Sequence, residues 1–108
     1  MWAFFVLVLA VAFTGCAYAK GNAEKGKAKA AQVCAACHGA DGAKPVAPEN
    51  PVLAGQYADY LVKALSDYKS GKRANPVMKA FAGQLTKQEI EDLAAWFSSQ
   101  TSSLHFQR

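Results

Sequence analysis

The chain has 108 residues, which is room for one domain. Its formal charge of +4, from 12 Lys and Arg against 8 Asp and Glu, lies wholly in residues 20–108, since residues 1–19 hold none of these types. The basic residues are scattered rather than gathered in a stripe, and this argues against a nucleic-acid partner.

The first 19 residues read as a secretory signal peptide. Trp2 to Phe13 is almost wholly apolar, and Ala17-Tyr18-Ala19 forms an A-x-A cleavage pattern before Lys20. That leaves residues 20–108 as the exported domain, placed in the periplasm. Two features are irregular: no Lys or Arg precedes the apolar run, and a lysine-rich segment follows it, against the usual charge bias. Two alternatives therefore stay open. Phe13-Thr14-Gly15-Cys16 resembles a lipoprotein cleavage box, so that Cys16 would be lipidated, or the uncleaved run would anchor the domain. A membrane enters only through one of these two routes.

Residues 22–33 are predicted helical, with Ala23, Gly26, Ala30 and Val33 at helical spacing and Lys25, Lys27 and Lys29 largely opposite. Such a face of small residues admits close approach by another helix. Residues 39–55, punctuated by Gly39, Gly42, Pro45, Pro48, Pro51 and Gly55, read as a long loop. A loop this long in so small a domain points to function, and wrapping a cofactor accounts for it. Residues 57–70 are predicted as an amphipathic helix, with Tyr57, Tyr60, Leu61, Ala64, Leu65 and Tyr68 on one face and Gly71 as its stop. Residues 72–85 read as a second loop, containing Pro76 and Met78. A last helix starts at Thr86. Thr86 and Glu89 have capping-box spacing, and Leu85 with Ile90 has that of a hydrophobic staple. Ile90, Leu93, Ala94 and Phe97 form its inner face, with Trp96 at the edge. No strand pattern is visible, so the expected class is all-α, with three main helices.

A domain of this size buries only about 60–65% of its unfolded surface, so it benefits from a staple or a cofactor. Cys34 and Cys37, the cysteines left after cleavage, are three residues apart, and a disulfide there would close almost no loop. They belong to Cys34-Ala35-Ala36-Cys37-His38, the C-x-x-C-H signature of covalent c-type haem. Two thiols across one helical turn match the two vinyl groups on one porphyrin edge, and the next residue, His38, falls beneath the iron. A chance match occurs on the order of once in a thousand chains of this length. A thioredoxin-like dithiol needs alternating strands and helices, and a zinc site needs four ligands. Met78 is the one methionine after residue 19 and the candidate for the other axial position. Its competitor, His105, lies in the terminal tail, where chains are generally mobile.

With these residues in place, the sequence resembles the small bacterial class I cytochromes c, both the single-haem members and the separate halves of periplasmic di-haem members. The resemblance covers residues 20 to about 100. It rests on Cys34 to Gly39, on Pro51 to Tyr57, on Asn75-Pro76-Val77-Met78 and on Leu93 to Gln100. It implies a cytochrome c fold wrapped around one covalent haem. It also implies that the Pro51 carbonyl accepts a hydrogen bond from His38, and that Gly26 and Trp96 meet where first and last helices cross. Tyr57 and Tyr60 are candidates for lining the haem cavity or, equally, for packing. A single C-x-x-C-H departs from the di-haem members.

The expected function follows from two filled axial positions. Iron without a free site exchanges electrons and binds no substrate, so the chain reads as a one-electron carrier and not an enzyme. The alternative is a haem enzyme or gas sensor whose sixth ligand is labile. Partners are then a redox donor and a redox acceptor. Lys44, Lys72, Arg73 and Lys79 offer either a positive rim for an acidic partner or plain solvation.

Overall fold

The computed structural model describes residues 21–101, so the expected signal segment, Cys16 and His105 lie outside the described residues. Five helices follow in chain order: α1 (Ala23–Val33), α2 (Ala35–His38), α3 (Ala58–Ser70), α4 (Pro76–Gly83) and α5 (Lys87–Ser98). Among the described residues there is no strand, and no helix is long and apolar enough to cross a membrane. The all-α expectation holds.

Local chemistry sets the helix starts. Asn22 caps α1, its side chain accepting from the Lys25 amide. At α5 the capping box forms in full. The Thr86 hydroxyl accepts from the Glu89 amide at 3.1 Å, and the Glu89 carboxylate accepts from the Thr86 amide at 2.9 Å. Leu85 and Ile90, the residues of the expected staple, are both buried in one cluster. Gly71 closes α3 as expected.

The core lies where α5 meets α1 and α3. Ala30, Leu61, Leu85, Ile90, Leu93, Ala94 and Phe97 are buried together. Gly26 lets α1 and α5 touch backbone to backbone: a Cβ there would come within 1.9 Å of the Asp92 carbonyl oxygen and 2.9 Å of the Trp96 Cβ. The expected pairing of Gly26 and Trp96 is thus present. Two polar ties lock the crossing. The buried Asp92 carboxylate accepts from the Asn22 amide at 2.7 Å and from Gln88 Nε2 at 2.9 Å, and Lys29 pairs with Glu89 at 2.6 Å.

Two expectations need correction. Residues 72–85 are not one loop, because Pro76–Gly83 form α4. Asn75 is its N-cap, accepting from the Val77 and Met78 amides, and Pro76 sits at the first helical position, where a missing N–H costs nothing. The three expected main helices are therefore joined by a fourth of eight residues, besides the four-residue α2. The apolar face of α3 is also less covered than its periodicity suggests. Leu61 is buried, but Tyr57 and Tyr60 remain about half exposed, at 49% and 48%.

Candidate haem site

Cys34 links the first two helices, as C-cap of α1 and N-cap of α2. The single turn of α2 then carries Cys37 and ends on His38. Both cysteines are free thiols and partly buried. Burial pushes the Cys34 thiol up to about 11, the neighbouring Cys37 adds to the rise, and Lys29 opposes it.

His38 is 93% covered (7% exposed), and its Nδ1 lies 2.9 Å from the Pro51 carbonyl oxygen. A carbonyl can only accept, so Nδ1 must be the donor. The neutral ring then carries its lone pair on Nε2. This contact was implied by the family resemblance, and the structure places the two residues accordingly. It orients the imidazole and raises the basicity of the remaining nitrogen.

The segment from Gly39 to Tyr57 is long but well tied. The Cys37 carbonyl accepts from the Val46 amide at 3.1 Å and from Asn50 Nδ2 at 3.1 Å. The Gly42 carbonyl accepts from the Leu53 amide at 2.9 Å, and the Gly55 amide donates to the Phe97 carbonyl at 2.9 Å. Gly42 has φ of 76°, and a Cβ there would lie 2.8 Å from Phe97 Cδ1, so both backbone and space call for glycine. Trp96 Nε1 donates to the Ala40 carbonyl at 3.3 Å. Together these bonds fasten the segment to α2 and α5 and deliver Pro51 to His38. Asn50 was not singled out in the sequence. Asparagine among prolines is an ordinary turn residue, and nothing local marks it as a partner of Cys37.

Met78 stands apart, in the first turn of α4, where it is partly buried. Its amide is held by the Asn75 side chain at 3.0 Å. No hydrogen bond or ion pair among the described residues joins α2 to α4.

Do these residues fit a covalent haem? The donor set does: two unpaired thiols within one helical turn, then an imidazole whose Nδ1 is engaged and whose Nε2 is available. The surroundings agree, because large apolar side chains are left uncovered in the segments that follow. Val46 is 70% exposed, Val77 59% and Phe81 41%, in addition to the half-exposed Tyr57 and Tyr60. Such a set is what a chain retains when it is shaped to pack against a large apolar group. Among the described residues there is no group of three or more His, Cys, Asp or Glu that could hold a bare metal ion.

Comparison with known proteins agrees with this chemistry. Cytochrome c4 of Pseudomonas aeruginosa is 49% identical over 98 residues, covering 91% of this chain and 48% of that protein. A protein of Stutzerimonas stutzeri named as a thiosulfate dehydrogenase electron acceptor is 42% identical over 78 residues, covering 72% of this chain and 34% of its own length. The crystal structure of reduced recombinant cytochrome c4 from Pseudomonas stutzeri superposes with a TM-score of 0.70 at 43% identity, covering 78% of this chain and 48% of that one. The chain thus spans about half the length of the cytochromes c4 it matches. The fold is the all-α cytochrome c fold, and the cofactor it implies is covalent haem c with its iron. The family model for cytochrome c matches residues 23–101, and the chain belongs to the cytochrome c family.

Proposed function

We propose that this chain is a periplasmic one-electron carrier, with haem bonded through Cys34 and Cys37 and iron held between His38 Nε2 and the Met78 thioether. The observation that carries the proposal is the 2.9 Å contact between His38 Nδ1 and the Pro51 carbonyl, within a C-x-x-C-H turn. It leaves His38 Nε2, with its lone pair, as the nitrogen that would hold a metal, next in sequence to the two thiols. When bound, haem supplies an iron centre that alternates between Fe(II) and Fe(III).

The residues of the chain hold and insulate that centre. Cys34 and Cys37 prevent its loss, His38 is fixed in one orientation by Pro51, and Met78 raises the reduction potential as a soft ligand. No side chain is required as acid, base or nucleophile, and this supports a carrier over an enzyme. The name of the relative that accepts electrons from thiosulfate dehydrogenase supports the same reading. Donor and acceptor are then other redox proteins. Lys44, Lys72 and Lys79 are exposed, and they suit an acidic docking face with salt-sensitive association.

The test is a redox titration followed by optical spectra, on protein matured in a host able to attach haem. One reversible one-electron transition and a low-spin spectrum are expected, with slow carbon monoxide binding. Met78→Ala should keep the haem, open the iron to added ligands and lower the potential by on the order of 0.1 V, a fraction of the roughly 0.8 V that axial ligands span. An unchanged potential in Met78→Ala would remove Met78 from the iron.

A further inference from the structure

Five residues, Gly71 to Asn75, join the end of α3 to the start of α4, and Met78 lies in the first turn beyond them. Arg73 sits in the middle of this linker and makes three separate contacts back to α3. Its amide donates to the Asp67 carbonyl at 3.1 Å. Its guanidinium lies over the Tyr68 ring, 4.8 Å from the centroid. Its Nη1 donates to the Tyr60 hydroxyl at 3.4 Å. A planar guanidinium can stack and donate sideways at once, which an ammonium cannot.

Beyond Arg73 the linker ends on the cap of α4. Asn75 accepts from the Val77 and Met78 amides, and Pro76 fixes its own φ. On the other side of the linker, a Cβ at Gly71 would meet Lys79 Nζ at 3.5 Å, so the Lys79 side chain reaches back over the turn that ends α3. A continuous path therefore runs from α3 through Arg73 and Asn75 to the backbone of Met78. No hydrogen bond or ion pair reaches α4 from α2 among the described residues, and the side-chain hydrogen bonds on its first turn come from Asn75 in this linker.

We infer that Arg73 is a positioning residue for the axial methionine, clamping the linker onto Tyr60 and Tyr68 so that Met78 is held toward the iron. This inference rests on the assignment of Met78 as a ligand. It also gives Tyr60 a role distinct from cavity lining: its hydroxyl is the outer anchor of the clamp. With its linker clamped, the first turn of α4 is less free to carry Met78 away from the iron.

The experiment uses matured ferric holoprotein and measures imidazole affinity, which competes with Met78 for iron. Arg73→Ala should bind imidazole about tenfold more tightly, the scale expected from losing a cation–π contact and a charged hydrogen bond. Arg73→Lys keeps the charge but engages one tyrosine at a time, and should recover part of the loss. Tyr60→Phe should show a smaller gain than Arg73→Ala. Amide exchange at Val77 and Met78 should quicken in Arg73→Ala, while that of Leu93 in the α5 core does not. An imidazole affinity within twofold of the parent, in an Arg73→Ala protein that is merely less heat-stable, would overturn the clamp. Met78→Ala separates the two ideas. If its own imidazole affinity equals the parent's, the ligand assignment fails. If it rises while Arg73→Ala does not move, the clamp alone fails.

Discussion

Where α1 crosses α5, the chain satisfies itself. Gly26 removes the last obstacle to backbone contact, Ala30 and Leu93 are fully buried, Asp92 ties down Asn22, and Lys29 reaches Glu89. The opposite condition holds around α2 and α4. There the helices are short, Val46, Val77 and Phe81 stay uncovered, and His38 owes its orientation to one carbonyl across a long segment. The contrast shows how a small domain divides its labour. One region supplies cohesion from protein atoms alone, and the other is shaped to be completed by the group it carries.

The sharpest way to break that division is to deny the second region its cofactor. Cys34→Ser with Cys37→Ser should abolish covalent haem, and the loss should fall unequally. Residues of α4 and of the segment 39–57 should lose amide-exchange protection first, with α1 and α5 the last to go. Mass spectrometry checks attachment, and exchange mapped by residue checks the order of loss. Uniform loss along the chain would show that the α1–α5 crossing has no independent cohesion. Next in size is an attack on the crossing itself. Gly26→Ala places a methyl into the Asp92 carbonyl and should cost about 3 kcal/mol, toward the upper end of overpacking effects. In a domain this small that is a fall in Tm of more than about 10 °C. The His38 environment should survive in the fraction that folds, so the optical spectrum of folded protein should stay put while Tm drops.

Each region was legible in the sequence only in part. The α5 start was legible because its determinants are neighbours: Thr86, Glu89, Leu85 and Ile90 lie within six residues of sequence. The C-x-x-C-H turn was legible for the same reason. Gly26 against Trp96 came through the family resemblance, since helical spacing alone marks a small residue without naming what it meets. α4 falls within residues 72–85, which read as a loop containing Pro76. Asn75-Pro76 is an N-cap followed by proline at the first helical position, which is a helix start signal rather than a loop signal. The ties of the long segment, Gly55 to Phe97 and Trp96 to Ala40, join residues more than forty positions apart, and periodicity carries no information about them. The exposure of Tyr57 and Tyr60 escaped for another reason: a helical apolar stripe is the same whether protein or cofactor covers it.

The smallest expected effect is also confined to the self-sufficient region, and its sign is fixed. Glu89 is held down to about 2, chiefly by its hydrogen bond from Lys29 and then by the Thr86 amide. Its unperturbed value is 4.5, so folding favours the ionised form. The contribution is full above that value and is lost as pH falls from about 4.5 through about 2. Because the pair sits at the surface, salt should weaken it. Glu89→Gln retains a side chain able to serve the capping box but removes the charge. The variant should therefore be less stable than the parent at neutral pH, and the gap should narrow as acid protonates Glu89 in the parent. Thermal midpoints of both proteins between pH 6 and 2 measure that gap directly, with every other carboxylate common to the two. A gap that stays constant over this range would mean that Lys29 and Glu89 do not couple α1 to α5 through charge. The cohesion of the crossing would then rest on the close approach at Gly26 and the buried side chains beneath it.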